Sequence, residues 1–248
     1  MANLKDLLYT NAGSVTTITL REFVVGNPTQ SANNGGCCCA WTVPAGASYI
    51  KFEMWGGGGG GGGACCCMQG FPGGNGAYAV KVLSGAQVVP GCVYTICAGG
   101  SSVQSNTNNG CMGYDSYVTG NNLSNFCAKG GRNGCTNCNA WNGNCYQCAQ
   151  CFYQCGAFGG DLCIWSTCGA SRITMYCWNH GQQHAPVGTA TVSGPIFGPG
   201  GCNIAGVGCT QFCAPVWPGG GGFAAQVYSG VCLCGYWGAA GAVSVTWG

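Results

Sequence analysis

Charge is what this chain lacks most. Of 248 residues, 7 are Lys or Arg and 5 are Asp or Glu, 5% in all, where an ordinary soluble domain carries about a quarter. The formal net charge is +2. Nucleic-acid binding draws on clustered Lys and Arg to neutralise phosphates, and anionic membrane surfaces select basic patches; the sequence has neither. The acids Asp6, Glu22, Glu53, Asp115 and Asp161 are scattered, so no glycosidase carboxylate couple is set up. P-loop and G-x-S-x-G motifs are missing. No stretch reaches the roughly 18–20 apolar residues of a membrane span. The first residues, MANLKDLLYTNAG, place Lys5 and Asp6 among the leucines and lack a signal peptide's apolar core. The expectation is a non-enzymatic chain made in a cytoplasm, without cofactor, nucleic-acid partner or membrane span. A surface so poor in charge is kept soluble with difficulty, so neighbours in an assembly are expected to cover it.

Glycine and cysteine fill the space that charge leaves, with 49 and 24 residues. The organising stretch runs from Trp41 to Gly100. Tyr49 to Trp55 alternates, with Ile50, Phe52 and Met54 on one side and Lys51 and Glu53 on the other, the period of a strand with one face buried. Tyr78 to Leu83 and Val93 to Cys97 read as further strands, because aromatic and β-branched residues lie between Gly/Pro breaks. Val43-Pro44-Ala45-Gly46 and Val88-Val89-Pro90-Gly91 supply turns. Between the first two strands stands a run of eight glycines, Gly56 to Gly63. It has no side chain to bury and the highest backbone entropy to lose. Two readings stay open: a mobile linker, or an extended polyproline-II-like rod held by backbone hydrogen bonds to neighbouring rods, which only glycine lets approach so closely.

This order of features carries a resemblance. A strand ends in Trp55; then come the polyglycine run, Gly73-Gly74-Asn75-Gly76-Ala77-Tyr78-Ala79, Val89-Pro90-Gly91, Tyr94-Thr95 and Ala98-Gly99-Gly100. The segment resembles the glycine-rich domain of bacteriophage tail-fibre and related virion proteins. The C-terminal Trp237-Gly238-Ala239-Ala240-Gly241-Ala242-Val243-Ser244-Val245-Thr246-Trp247-Gly248 is similar to the ending of such proteins in phages of cyanobacteria. The resemblance implies a virion structural subunit of a tail fibre, an appendage or a surface decoration. It implies a homo-oligomer, a trimer being common in such fibres, with other virion proteins and a host surface receptor as partners. Such a protein is made in the host cytoplasm and exposed after lysis. That history reconciles dense cysteine, which signals an oxidising place, with the missing leader. No acid pair supports the depolymerase activity of some tail spikes.

The fold expected is all-β: a glycine-rich, β-sandwich-like domain with polyglycine segments and a disulfide-rich irregular loop region. Residues 1–36 form an N-terminal docking or strand segment, with Val15 to Val25 strand-like. Residues 37–100 form the glycine-rich β core, 101–217 a Cys-rich loop region, and 218–248 the C-terminal strands that complete the core. Ser101 to Asn125 reads as surface loops. The run Gly219 to Gly222 repeats the order of the first glycine run, which suggests a shared packing layer. Ala242 to Trp247 is expected to pair with the Ile50–Met54 strand.

The triplets Cys37-Cys38-Cys39 and Cys65-Cys66-Cys67 bracket the first core strand. Alternation in a strand sends the middle cysteine to one face and the outer two to the other, so each triplet is placed to staple neighbouring segments. Disulfide candidates are these six with Cys92, Cys97, Cys135, Cys138, Cys145, Cys148, Cys151 and Cys155. The last four have the spacing of a bacterial iron–sulfur loop, and a metal or iron–sulfur protein is the alternative function. Gly156 replaces the proline that ordinarily follows that loop, and a chain this rich in cysteine produces such spacings by chance. His180 and His184, with Cys177 before them, have metal-ligand spacing, but Gly181 and Pro186 oppose the helix it needs. Loop aromatics Tyr114, Tyr117, Trp141, Tyr146 and Phe152 are the candidate receptor contacts, since aromatics give contact area at low entropy cost. A non-viral extracellular filament or coat subunit fits the composition as a third reading.

Overall fold

The computed structural model describes residues 21–26, 36–65, 73–102, 110–134, 156–164, 203–204, 211–212, 217–222 and 232–248. In chain order its strands are β1 (Arg21–Val25), β2 (Cys37–Thr42), β3 (Tyr49–Trp55), β4 (Ala64–Cys65), β5 (Tyr78–Ser84), β6 (Val93–Ala98), β7 (Ser116–Gly120), β8 (Leu123–Ala128), β9 (Ala157–Phe158), β10 (Leu162–Ile164), β11 (Asn203–Ile204), β12 (Gln211–Phe212), β13 (Cys232–Leu233) and β14 (Ala242–Trp247). Ten of them build two five-stranded antiparallel sheets, β1-β14-β3-β5-β10 and β2-β6-β7-β8-β9. β14 pairs with β3 from Ala242↔Trp55 to Trp247↔Ile50, as its sequence suggested. β1 lies on the outer side of β14, so the part of the Val15–Val25 segment that is described is an ordinary sheet strand.

The period of two in β3 becomes burial. Ile50, Phe52 and Met54 are fully buried, while Lys51 and Glu53 pair with each other at the surface (2.6 Å). Val243, Val245, Leu83 and Ala79 join them from the same sheet; Trp41, Tyr94, Ile96, Val118, Phe126 and Ala128 face them from the other. Phe52 is the hub, with ring centroids 5.3 Å from Tyr94, 6.1 Å from Trp41 and 6.5 Å from Phe126. Offset and edge-on rings at this spacing add to area burial. Tyr94 turns its hydroxyl to the Asn121 carbonyl (2.9 Å), so the largest buried side chain leaves no orphan donor.

β7 and β8 correct the reading of Ser101–Asn125 as surface loops. Their outward positions carry Ser, Thr and Asn, which hides the alternation of Ser116, Val118, Leu123, Phe126 and Ala128 on the buried side. Asn121 and Asn122 form the two-residue turn between them, with Asn122 at φ 62°, a conformation Asn tolerates.

The sandwich has two unlike ends. At one, the chain reverses through tight turns: Pro44–Ala47 closes with Gly46 at φ 84°, Val89–Cys92 with Gly91 at φ 81°, both the type II pattern that needs a positive φ at its third residue. The β7–β8 turn and Gly248, whose carbonyl accepts from Ser48 and Tyr49, lie at this end too. At the other end β3, β6 and β8 run out of the ladder into extended segments, and β5, β7 and β14 begin from such segments. We call these the turn pole and the rod pole. Among the described residues no helix is long and apolar enough to cross a membrane.

Candidate functional site

Polyglycine forms the axis of the rod pole. Gly56 donates to Ala77 O and Gly59 to Gly74 O; Gly57 to Tyr114 O and Gly60 to Cys111 O; Gly58 to Ala239 O and Gly61 to Tyr236 O, all at 2.8–2.9 Å. The partner changes with each residue and returns after three, the period of a polyproline II helix, which has no hydrogen bonds of its own. Eight residues at about 3.1 Å each make a rod of about 25 Å. The linker reading is therefore excluded, and the rod reading holds.

Six segments surround the axis. Residues 73–77, 110–115 and 234–241 run antiparallel to it and accept its N–H groups. Residues 129–134 and 217–222 run parallel and donate back: Gly131 to Gly57 O (2.7 Å), Gly134 to Gly60 O (2.7 Å) and Gly222 to Gly59 O (2.8 Å). The sixth, 98–102, closes the ring through Gly241 N–H to Gly99 O (2.8 Å). Neighbours in the ring also bond each other, as Gly74 does to Arg132 O and Ala239 to Gly220 O. Gly58, on the axis, bears on residues 217–222, where a Cβ added to it would fall 1.9 Å from Gly220 O, so the two glycine runs do share one packing layer.

Close approach explains the glycines of the ring. Gly110 and Gly113 on one rod, and Gly235 and Gly238 on another, turn their α-carbons to the axis; a Cβ added there would lie 2.0–2.2 Å from the carbonyl oxygens of Gly57, Gly58, Gly60 and Gly61. With three residues per turn, glycine at every third position keeps one side bare and leaves the others free for side chains. Three buried polar side chains act where the lattice lacks a backbone acceptor. Asn75 Oδ1 accepts from Gly221 N–H, Ser102 Oγ from Gly238 N–H and Ser116 Oγ from Gly99 N–H, each at 2.8 Å. Ser116 also donates to Trp55 O (2.6 Å), tying both sheets together where they pass into rods. A polar residue beside a glycine repeat was the signal available for these three roles.

Side chains on the outer sides of the ring define an exposed face. Cys111, Met112 and Tyr114 stand out from one rod, and Arg132 from the next, with its Nη1 donating to Met112 Sδ (3.9 Å). Lys129 pairs with Asp115 (2.5 Å), whose other oxygen accepts from Gly130 N–H (2.9 Å). The face continues onto the outer side of β7–β9, where Tyr117 and Phe158 are exposed. Two of the candidate contacts, Tyr114 and Tyr117, are thus 52% and 40% exposed. Trp141, Tyr146 and Phe152 lie outside the described residues.

The cysteines divide likewise. Cys38 and Cys97, opposite each other in the β2–β6 register, are joined by a disulfide, with α-carbons 4.1 Å apart. Cys37 and Cys39 are thiols: their register partners are Ala98 and Ile96, so the outer two of this triplet meet no sulfur across the ladder. Cys92 is also a thiol. Burial pushes the Cys39 and Cys127 thiols above the ordinary range, Cys37 adding to the first. Cys65 lies opposite Cys232 where β4 pairs with β13, just beyond the axis. Cys66, Cys67, Cys135, Cys138, Cys145, Cys148, Cys151, Cys155, Cys177, His180 and His184 lie outside the described residues. Among the described residues no group of three His, Cys, Asp or Glu side chains is placed to hold a metal.

The described carboxylates serve the scaffold. Glu22 accepts from Ser244 Oγ and Glu53 from the Tyr78 hydroxyl, each at 2.8 Å. Burial, then that hydrogen bond, raises the Tyr78 pKa. Asp161 accepts from Lys81 Nζ (2.6 Å) and from Val82 N–H (2.8 Å); the Lys81 hydrogen bond, reinforced by the Val82 N–H against a smaller effect of burial, holds its carboxyl below the usual range.

Residues 29–248 match the family model described as a glycine-rich domain. No curated protein matches the chain.

Proposed function

We propose, since the chain belongs to the glycine-rich domain family, that it is a structural subunit of a phage virion, carried in a tail fibre, an appendage or a surface decoration. In this reading the rod pole faces outward and presents host-contacting segments. The observation that carries it is polarity. Among the described residues the strand connections at the turn pole are short reversals, whereas the long connections between described strands leave from the rod pole: the segments containing 27–35, 66–72, 103–109, 135–155, 165–216 and 223–231. Thirteen of the 24 cysteines belong to those segments. Contact residues on segments held by a rigid scaffold are the usual arrangement of recognition proteins, and a rod bundle bonded in every lateral direction is such a scaffold. Tyr114 and Tyr117 flank the base of the display, where exposed aromatics offer area at low entropic cost.

The test has two parts. Mass spectrometry of purified particles is expected to find the polypeptide; its absence from particles overturns the virion assignment. Soluble chain added to host cells before the phage is expected to slow adsorption, with a Tyr114→Ala/Tyr117→Ala double variant competing less well. A chain found in particles that does not compete at all keeps the structural role and removes the receptor contact.

A further inference from the structure

The disulfide sits in a particular place. Among the described residues β2 is an edge strand, bonded to β6 on one side only. Its half toward the turn pole is anchored by Trp41, 7% exposed, and by the buried Val43 that follows. Its half toward the rod pole has no fully buried side chain: Cys37, Cys38 and Ala40 are exposed and Cys39 is half-buried. Just beyond, Gly36 lies against the 98–102 rod, where an added Cβ would stand 2.4 Å from Ala98 O. Cys38–Cys97 is thus a side-chain tie in the weakly held half of the strand, at the last ladder steps before the rods. Both sulfurs are on the outer side of the sheet, away from the core, with the Tyr117 hydroxyl 4.0 Å from Cys38 Sγ. The β2–β6 register brings the two cysteines opposite each other through backbone pairing.

We infer that this bond is a redox lock on the edge of the sandwich, closed after the domain has folded. With both thiols reduced, the core and the rod bundle form, and residues 36–40 open and close locally while Trp41 stays seated. Elements with few buried contacts are the ones that open at low free energy. Opening bares the outer backbone groups of β6, an unprotected edge able to pair with another chain. A low-molecular-weight disulfide closes the lock. The exposed Cys38 thiolate attacks it, forming a mixed disulfide and releasing one thiol; the Cys97 thiolate then attacks the Cys38 sulfur and releases the second. One small disulfide is reduced to two thiols as two protein thiols become one disulfide, the ordinary exchange route. Cys38 acts first because Cys97 is only 3% exposed. The inference holds for any chain that passes from a reducing to an oxidising place and does not rest on the virion reading.

Hydrogen exchange read by mass spectrometry on the whole chain tests it, comparing protein in a phosphine reductant with protein in glutathione disulfide. The oxidised form is expected to protect the ladder-bonded amides within residues 37–40 at least about tenfold more than the reduced form, as for a local opening, with 49–55 and 242–247 equally protected in both. A Cys38→Ser/Cys97→Ser variant is expected to show the unprotected pattern in both buffers, which separates this bond from the other cysteines. Equal protection of 37–40 in both redox states overturns the lock. So does a variant that loses protection across 49–55 and 242–247, since the bond would then be a requirement of the fold. Peptide mapping that pairs Cys38 or Cys97 with another cysteine overturns it as well.

Discussion

The sandwich and the rod bundle are one chain built by two rules. In the sandwich, side chains fill the space between backbones, and Phe52 with its ring of aromatics sets the sheet separation. In the bundle, backbones themselves are the filling, and specificity lies in the absence of side chains. The first rule tolerates exchange of one apolar group for another of similar volume. The second has no such slack, because the neighbours of an axial glycine are carbonyl groups fixed by hydrogen bonds.

The contrast is broken or sharpened most strongly at the axis. Gly59→Ala puts a methyl group 1.9 Å from Arg132 O, and backbone on every side prevents relief. Loss of at least about 4 kcal/mol, the range reserved for severe mechanisms, is expected, visible as insoluble protein or a collapsed urea midpoint. An alanine variant as stable as the parent would show that the bundle is loose and the contrast wrong. Next comes Phe52→Ala in the sandwich, with an expected loss of about 3–5 kcal/mol, while Phe52→Leu keeps most of the volume and costs less. If both substitutions hurt as much as Gly59→Ala and no less, the two regions obey one rule. Ser102→Ala is the middle case: it leaves the buried Gly238 N–H without its acceptor and is expected to cost about 1–3 kcal/mol, measured by thermal melting.

The smallest effect lies at the sandwich edge, where Lys81 and Asp161 guard the part of β5 beyond its pairing with β10. Half-exposed pairs of this kind contribute about 0–1 kcal/mol. The sign is definite. The Asp161 carboxyl is held below its ordinary value, so its contribution is complete above the unfolded-state pKa and is lost as pH falls through the folded-state value. Urea midpoints taken down the acid range are expected to fall less steeply in Asp161→Asn than in the parent. Tyr78 gives the opposite limb. Its pKa is raised, so the folded state holds the proton longer and stability falls as pH rises above the ordinary tyrosine value; Tyr78→Phe removes that dependence.

These two rules also decide what could be read from the sequence. β3, β5, β6 and β14 were legible because large apolar residues alternate between proline–glycine turns, and the pairing of β14 with β3 followed. β7 and β8 were not, because Ser116, Gly120 and Ala128 fill inward positions with small side chains; Gly120 lies under Tyr94, where a Cβ would meet the ring at 2.4 Å. The axial rod was legible only as one of two possibilities, since eight identical residues carry no period. Its partners did carry one: glycine at 110 and 113, and at 235, 238 and 241, marks the bare side of a three-residue helix. That period is easily overlooked in a chain where glycine is common everywhere. The candidate contacts were legible as residue types alone, and of them Tyr114 and Tyr117 are exposed.

The threefold bonding of the axis has a mechanical consequence. A strand at the edge of a sheet can be peeled away one bond at a time by a force across the ladder. The axial rod has no edge to peel from, because successive residues are tied to neighbours lying in three different directions. Tension along the molecule therefore loads those ties in shear and together, and the rod yields only when many fail at once. A domain of this design resists being drawn out lengthwise far better than its small apolar core would suggest.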